Sequence, residues 1–237
     1  KISYKEDKTP LTVADLKSNQ FIIQSLFLIE KNIPVLSEES LVDWSIRKYW
    51  KKYWLVDPLD GTKEFINKND NFTVNIALIE NNIPILGVIY APALFKLYFA
   101  FKNGGSYKFF VEKDIDINDY VTNAKRIRTS NKTYNDRLTV LGSRSYFNDK
   151  IENWLNQKLK KFKFIKKGSS IKFCEIAEGI ADLYPRFGPT SEWDIAAGHI
   201  ILTEAGGKLE TITQNEILYN LKKNVINQHF IASCKLE

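Results

Sequence analysis

Two aspartates three residues apart, Asp57 and Asp60, directly follow an apolar run in the segment YWLVDPLDGTKEF. The proline after Asp57 keeps that residue extended, so its carboxylate projects from a strand end, and PLDG supplies the residues of a tight turn. The segment therefore offers two carboxylates, a carbonyl and the Thr62 hydroxyl on one short arc. These are hard oxygen ligands suited to Mg²⁺. The alternative is a structural turn whose aspartates accept hydrogen bonds from backbone amides.

Two other acidic positions raise the same question. In IPVLSEES, Glu38 and Glu39 follow an apolar run and precede a polar loop, for which a solvated loop is the ordinary interpretation. In SEWDIAAGHIILTEAGG, Asp194 stands three residues after Ser191, a spacing typical of a capping box. If the carboxylates of these segments meet, they repel one another and raise their pKa values unless a cation neutralises them. Their meeting would therefore predict divalent ions.

Composition places the chain among folded globular proteins. The 237 residues are 44% hydrophobic and 26% charged, which argues against extensive disorder and allows one domain or two closely packed halves. Lys and Arg number 34 against 28 Asp and Glu, a balance compatible with small anionic substrates, nucleic acid or a membrane surface. Cys174 and Cys234 lie in apolar settings without metal-ligand spacing and are predicted to be buried free thiols.

The compartment follows from the same observations. Free thiols favour a reducing compartment, and the longest uncharged run, 81–95, is too short to span a bilayer. We therefore expect a cytoplasmic protein without an integral membrane segment, and a peripheral position at the inner membrane is left open. Methionine is absent, so we expect the natural chain to begin upstream of this sequence.

Hydrophobic periodicity predicts the elements of the amino-terminal portion. LTVADLKSNQFIIQSLFLIEKN predicts an amphipathic helix capped by Thr12, with Leu16, Ile23, Leu26 and Ile29 facing inward. Strands are predicted at IPVLS, YWLVD, FTVNIALIEN and IPILGVIYAP, and ENNIP between the last two predicts a hairpin connection. Strands dominate this portion.

Strands and helices alternate in the carboxy-terminal portion, which indicates an α/β half. FKFIKKGSSIKFCEIAEGIADLYPRFG predicts a strand, a loop, a helix and another strand. The residues expected on the inner face of that helix are Ile171, Cys174, Ala177, Ile180 and Leu183. SEWDIAAGHIILTEAGG predicts a helix that Ser191 caps and that Gly206 and Gly207 end.

The motifs EES, DPLDGTKEF and WDIAAGHIILTEAGG, in this order, resemble the lithium-sensitive, magnesium-dependent phosphatase superfamily that contains inositol monophosphatase. Within it, PVLSEES, WLVDPLDGTKEFI, FTVNIALI, GVIYAP, GSSIKFC and LYPRFGPTSEWDIAAGH resemble the bacterial 3'(2'),5'-bisphosphate nucleotidases, over nearly the whole chain from KEDKTPLTVAD onward. The resemblance implies an α/β (α+β) fold, a layered αβαβα sandwich. Its amino-terminal half, 1–118, would carry most metal ligands, and its carboxy-terminal half, 119–237, the nucleotide contacts and Asp194.

The resemblance also implies a role for each acidic residue. The implied ligands of two or three Mg²⁺ ions are Glu38, Asp57, the Leu59 carbonyl, Asp60 and Asp194. Glu38 and Thr62 would position the attacking water, and Asp60 is a third expected catalytic residue. Asp15 would lie near a further, weaker metal position, and Lys5 would lie at the edge of the site. Such ions lower the pKa of a bound water and neutralise the leaving oxygen.

Substrate contacts are expected mainly from the carboxy-terminal half. GSRS at 142–145 follows a strand, and GSSIK at 168–172 opens a helix whose amides and dipole favour an anionic group. By resemblance, the residues around the nucleotide are Gly61, Thr62, Gly142, Ser143, Arg144, Ser170, Lys172, Arg186 and Asp194. Arg186 would bind the second phosphate through two parallel hydrogen bonds. For the Ser and Gly residues, loop geometry or capping is the alternative.

The sequence thus predicts a Mg²⁺-dependent phosphatase that removes the 3'-phosphate of adenosine 3',5'-bisphosphate, in sulfate assimilation and nucleotide recycling. Inositol monophosphatase and fructose 1,6-bisphosphatase are the alternatives within the superfamily. An alternative of another class is a nucleic-acid-binding module, motivated by the positive balance and by 15 Phe, 11 Tyr and 5 Trp. No nucleic-acid motif is recognised, so we expect no nucleic-acid partner. We expect a monomer or homodimer in which His199 and His229 are structural.

Overall fold

The computed structural model of the protein describes residues 2–4, 10–111, 122–143 and 149–236. The strands are β1 (Ile2–Tyr4), β2 (Pro10–Thr12), β3 (Val35–Ser37), β4 (Lys52–Asp60), β5 (Thr73–Glu80), β6 (Ile83–Ala91), β7 (Lys96–Phe101), β8 (Gly105–Phe110), β9 (Lys125–Ile127), β10 (Leu138–Gly142), β11 (Phe162–Lys166), β12 (Leu183–Arg186), β13 (Lys208–Thr211) and β14 (Phe230–Ser233). The helices are α1 (Val13–Ile29), α2 (Trp44–Arg47), α3 (Thr62–Ile66), α4 (Asp149–Lys158), α5 (Ile171–Ala177) and α6 (Glu192–Glu204). None of the helices in these ranges is both long enough and apolar enough to cross a membrane.

The larger sheet has seven strands in the order β3-β4-β5-β6-β7-β8-β9. β3 runs parallel to β4, and every later pair is antiparallel. β5 and β6 are joined at Asn81 and Asn82, which have φ values of 50° and 67°. Two successive left-handed residues are typical of a tight hairpin turn, and asparagine tolerates that conformation. The predicted hairpin connection is confirmed.

The smaller sheet has five strands in the order β11-β10-β12-β14-β13, with β10 parallel to both of its neighbours. α1 packs against β4 on the larger sheet, α5 and α6 fill the space between the two sheets, and α4 packs on β10 and β12. This order of layers confirms the predicted αβαβα sandwich. The division at 118/119 stays a prediction; the larger sheet takes its last strand from Lys125–Ile127.

Two glycines let α6 approach its neighbours closely. A Cβ at Gly87 of β6 would lie 2.5 Å from Ile200 Cγ2 and 2.7 Å from the Ala197 oxygen of α6. A Cβ at Gly198 would lie 2.5 Å from the ring of Phe173 in α5. α6 is therefore fixed against the larger sheet on one side and against α5 on the other, which sets the position of its first turn.

The inner face of α1 differs from the prediction. Thr12 caps the helix as expected, but the buried residues are Asp15, Asn19, Ile22 and Leu26. Of the predicted inward residues Leu16, Ile23, Leu26 and Ile29, only Leu26 is buried, and Leu16 and Ile29 are 50% and 71% exposed. The helix is apolar on several sides, so periodicity does not select one face. Hydrogen bonds that Asn19 and Asp15 accept from Ser37 and Thr62 select it instead.

The helix α5 is shorter than predicted. It ends at Ala177, and Gly179 has a φ of 76°, a left-handed conformation that stops the helix. Ile180 is consequently 54% exposed, and Leu183 belongs to β12 rather than to the helix. Ile171, Cys174 and Ala177 are buried as expected. Cys174 and Cys234 are both buried and unpaired, which confirms the prediction of buried free thiols.

Candidate metal centre

Glu38 and Asp57 follow the last residue pair that the adjacent parallel strands β3 and β4 share. Ser37 of β3 pairs with Val56 of β4, and the Glu38 amide donates to the Val56 oxygen over 3.1 Å. Each acidic residue therefore comes one position after a paired residue. Because residues that correspond in a parallel register are neighbours, Glu38 and Asp57 lie side by side.

A β-bulge brings Asp57 and Asp60 to the same side of β4. Asp57 pairs with Asn75 of β5, and Asp60 pairs with Thr73, so three steps along β4 match two steps along β5. In a regular strand, residues three apart point to opposite faces. The extra residue of the bulge removes that alternation locally, as bulges next to functional sites often do. Both aspartates consequently lie opposite polar residues of the neighbouring strand.

The turn after the bulge is held by local hydrogen bonds. The Leu59 amide donates to Asp57 Oδ1 over 3.0 Å, which fixes one oxygen of that carboxylate. Gly61 has a φ of 91°, and a Cβ there would lie 3.0 Å from the Asn71 oxygen. The chain then enters α3, where Thr62 Oγ1 lies 3.1 Å from Asp15 Oδ1 and 3.4 Å from the Leu59 oxygen.

Asp15 connects α1 to this turn. Its Oδ2 accepts from the Thr12 amide and hydroxyl at 2.8 and 2.6 Å, and its Oδ1 accepts from Thr62. The residue is only 2% exposed and does not line the cleft described below. In this arrangement Asp15 caps α1 and orients the Thr62 hydroxyl. Its expected position near a further ion stays a prediction.

Asp194 lies in the first turn of α6. The Ser191 amide donates to Asp194 Oδ2 over 2.8 Å, and the two residues form the capping box that their spacing predicts. The capping box does not exclude a second role. The same carboxylate lies beside Glu38 and Asp57 of the larger sheet.

Three carboxylates from three separate segments converge here. One carboxylate oxygen of each of Glu38, Asp57 and Asp194 lies within 4.8 Å of the other two. A group of this kind could hold a metal ion. Asp57 is buried, and the other two are partly buried. Hard oxygens at such spacing fit a divalent cation such as Mg²⁺.

The electrostatics of the cluster favour a cation. Burial raises the pKa of Asp57 well above its ordinary value, and Glu38, Asp60 and Asp194 raise it further. Burial likewise raises the pKa of Asp194, and repulsion from Asp60 and Glu38 adds to the effect. The ionised forms are thus unfavourable together in the absence of a positive charge. A divalent ion among them reverses that sign.

Asp60 lies next to the three-carboxylate group but is not part of it. Its Oδ2 accepts from the Ser170 amide over 2.5 Å. Burial raises the pKa of Asp60, while Lys172, the Ser170 amide and Asn75 oppose that shift. Asp60 therefore stands between the acidic cluster and a basic side chain, and its role as a metal ligand stays a prediction.

A cleft of about 290 Å³ lies over the cluster. It is lined by most of the predicted site residues, namely Glu38, Asp57, Leu59, Asp60, Gly61, Thr62, Ser143, Ser170, Lys172, Arg186 and Asp194. Gly142 ends β10 behind Ser143 and does not line the cleft. Arg144 and Lys5 lie outside the described residues.

Two buried basic residues also line the cleft. Lys172 is 4% exposed, donates to the Ser169 oxygen and lies 4.9 Å from the ring centre of Tyr184. Burial lowers the pKa of Lys172 to about 8, against the opposing effect of Asp60. Arg186 is 7% exposed and donates through Nη2 to the Pro189 oxygen over 2.7 Å. Their side chains add positive charge to the cleft.

Thr73 and Asn75 are site residues that the sequence analysis missed. They stand in FTVNIALI, where a period of two places both on one face of β5, and that alternation was the available signal. The histidines agree with a structural role. His199 Nδ1 lies 3.1 Å from Tyr219 Oη, and His229 stacks on Phe187 with ring centres 5.8 Å apart.

Comparison with known proteins agrees with this geometry. The inositol monophosphatase family profile matches residues 1–234. The 3'(2'),5'-bisphosphate nucleotidase CysQ of Buchnera aphidicola subsp. Acyrthosiphon pisum is 46% identical over 236 residues, which are 98% of this chain and 83% of that protein. CysQ of Escherichia coli K12 is 41% identical over 231 residues, which are 97% of this chain and 87% of that protein.

A solved structure extends the similarity to three dimensions. The crystal structure of CysQ from Bacteroides thetaiotaomicron superimposes with a TM-score of 0.85 at 40% identity, and the match covers 98% of this chain and 88% of that one. That protein is described as a bacterial member of the inositol monophosphatase family. The family profile, the curated relatives and the fold agree, and the chain belongs to the inositol monophosphatase family.

Proposed function

We propose that the protein is a Mg²⁺-dependent phosphatase that hydrolyses the 3'-phosphate of adenosine 3',5'-bisphosphate to give AMP and phosphate. The observation that carries this proposal is one cleft lined by three converging carboxylates and by two buried cations. The activity for which the relatives are named, 3'(2'),5'-bisphosphate nucleotidase, supports the same substrate class. We place the reaction in the cytoplasm, in nucleotide recycling linked to sulfate assimilation.

We assign the acidic residues of the cleft to the hydrolysis of the phosphate ester. Glu38, Asp57 and Asp194 would hold the divalent ions, with Asp60 and the Leu59 carbonyl at their edge. When bound, such ions lower the pKa of water, orient it towards phosphorus and neutralise charge on the leaving oxygen. The Thr62 hydroxyl, which Asp15 orients, lies beside this group and is assigned to positioning the attacking water together with Glu38.

We assign the basic residues of the cleft to binding the second phosphate of the substrate. Lys172 is held at a fixed position by the Ser169 oxygen and by the ring of Tyr184, so it acts as a buried point charge. The Arg186 guanidinium is anchored through one nitrogen at the Pro189 oxygen, and it adds a second cation. Ser143 lines the same cleft, and its predicted contact with the nucleotide belongs to this proposal. A substrate with two phosphates would thus bind the metal ions through one phosphate and Lys172 and Arg186 through the other.

The pair of buried cations favours adenosine 3',5'-bisphosphate over inositol 1-phosphate. Inositol 1-phosphate has a single phosphate, so it offers no second anionic group for Lys172 and Arg186 to bind. Inositol monophosphatase activity therefore remains the second candidate, on the ground of family membership alone.

A phosphate-release assay on a panel of substrates tests the proposal. Purified protein would be assayed with adenosine 3',5'-bisphosphate, inositol 1-phosphate and fructose 1,6-bisphosphate, each with and without Mg²⁺. We expect Mg²⁺-dependent release from the nucleotide and little from the other two. Arg186→Lys is the matched variant: it keeps the charge but loses the planar guanidinium, and we expect KM for the nucleotide to rise about tenfold. Equal or faster turnover of inositol 1-phosphate would reject the proposed substrate.

A further inference from the structure

Three buried polar side chains stand behind Asp60 without a role in the chemistry proposed above. Thr73 and Asn75 belong to β5, and Ser170 immediately precedes α5; they are 0%, 1% and 2% exposed. Buried polar groups are costly unless they are hydrogen-bonded, so this concentration beside a carboxylate calls for an explanation.

The hydrogen bonds among the three have one consistent direction. Ser170 Oγ lies 2.7 Å from Asn75 Oδ1 and 2.8 Å from Thr73 Oγ1. Asn75 Oδ1 can only accept, so Ser170 donates its single proton to it, and Thr73 must donate to Ser170. The order Thr73 to Ser170 to Asn75 fixes both hydroxyl groups and the orientation of the amide.

This order turns the amide donor of Asn75 towards Asp60. The Asn75 side chain opposes the rise in the pKa of Asp60, yet Nδ2 has no hydrogen-bond acceptor among the residues that the structure describes. The reverse amide orientation would set Oδ1 against a carboxylate, which is repulsive. Asn75 Nδ2 is thus a buried donor directed at the carboxylate that stands beside the three-carboxylate group.

Asp60 is held from a second direction by the backbone. The Ser170 amide donates to Asp60 Oδ2 over 2.5 Å, and Lys172, two residues further on, attracts the same carboxylate. The bulge places Asp60 opposite Thr73 and Asp57 opposite Asn75, so all these groups share one face of the sheet. Asp60 is therefore gripped between β5 of the larger sheet and the start of α5.

We propose that Thr73, Asn75 and Ser170 form a clasp that positions Asp60 towards the divalent ions. Ser170 is then a positioning residue: its amide holds Asp60, and its hydroxyl locks the Asn75 side chain rather than contacting substrate. The proposal rests on the metal centre of the proposed function, but it does not depend on the identity of the phosphate ester. Groups that hydrogen-bond metal ligands are known to tune metal affinity.

Calorimetric titration of the full chain with Mg²⁺, without substrate, tests the clasp. Asn75→Ala removes both the acceptor of Ser170 and the donor to Asp60, and we expect Mg²⁺ affinity to fall about 10- to 100-fold. Thr73→Val keeps the shape of the side chain and removes only the hydroxyl that donates to Ser170, so we expect a smaller loss of Mg²⁺ affinity. The matched control is Ser106→Ala on β8: Ser106 is 0% exposed and lies outside the cleft, and its Mg²⁺ affinity should equal that of the wild type.

An activity readout separates positioning from general destabilisation. The Mg²⁺ concentration for half-maximal activity should shift in parallel with the affinity, while KM at saturating Mg²⁺ changes by less than about threefold. Wild-type Mg²⁺ affinity in both Asn75→Ala and Thr73→Val would overturn the clasp, and Thr73→Val alone decides if Asn75→Ala does not fold. Wild-type protein that binds Mg²⁺ but leaves the nucleotide intact would reject the proposed substrate only. Wild-type protein that does not bind Mg²⁺ would reject both proposals.

Discussion

Asp194 shows that a structural and a chemical role can belong to one side chain. The spacing from Ser191 indicates a capping box, and the structure has it, with the Ser191 amide 2.8 Å from Asp194 Oδ2. The same carboxylate also reaches within 4.8 Å of Glu38 and Asp57. The helix cap therefore fixes the orientation of a carboxylate that the acidic cluster uses. At this position the two interpretations of the sequence are compatible rather than exclusive.

His199 gives a prediction at the same scale. Burial lowers its pKa from 6.5 to about 4. Between these values the unfolded chain binds a proton that the folded protein does not, so stability falls as pH drops from about 6.5 towards about 4. The shift corresponds to about 3 kcal/mol at most.

The matched variant His199→Gln lacks the titrating imidazole and keeps a polar group that can hydrogen-bond to the Tyr219 hydroxyl. Urea unfolding of both proteins at pH 7 and pH 4.5 should show that the wild type loses about 2–3 kcal/mol more than the variant. An equal loss in the two proteins would contradict a neutral buried His199.

At the scale of elements, the β4 bulge and the turn after it determine where the site residues lie. The sequence predicts the strand, the turn and the two aspartates, because an apolar run, proline and glycine each have local signals. It does not predict that Asp57 and Asp60 share a face, since that depends on the register with Asn75 and Thr73 of β5. Register is a non-local property, and for the same reason the two β5 residues were not recognised as part of the site.

Gly61→Ala tests the turn. A side chain at a φ of 91° costs about 1–2 kcal/mol, and here its Cβ would also lie 3.0 Å from the Asn71 oxygen. We expect lower stability in urea unfolding together with a loss of phosphatase activity, because Thr62 and Asp60 flank the glycine.

The matched control for that change is Gly206→Ala. Gly206 has a φ of 97°, but its Cβ would meet only Thr129 Oγ1, at 3.6 Å, and it lies outside the cleft. We expect a loss of stability with activity retained. Full activity in Gly61→Ala would show that the turn does not position the catalytic groups.

The sequence predicts the boundaries of the helices better than it predicts which face of a helix is buried. The start of α1 at Thr12 and the span of α6 follow from caps and glycines, which act locally. The prediction of the inner face of α1 was wrong because the helix is apolar on several sides, and Asp15 and Asn19 turn inward to make hydrogen bonds. Polar contacts with a distant segment, rather than hydrophobic periodicity, selected that face.

At the scale of the whole molecule, the sandwich brings together carboxylates that are far apart in the chain. Glu38 follows β3 and Asp57 lies in β4 of the larger sheet, and α6 brings Asp194 from between the sheets. The close approach of α6 at Gly87 sets that distance. The family motifs indicate which carboxylates belong together, and the layers explain how they meet.

Anomalous diffraction from crystals containing Mn²⁺ tests the central claim most directly, because Mn²⁺ takes the same hard oxygen ligands as Mg²⁺ and scatters anomalously. We expect a peak within coordination distance of the Glu38, Asp57 and Asp194 carboxylates, and a weakened or absent peak in Asp57→Asn crystals grown in the same conditions. Crystals of the wild-type protein without a peak among these three carboxylates, at an Mn²⁺ concentration that supports activity, would contradict the account.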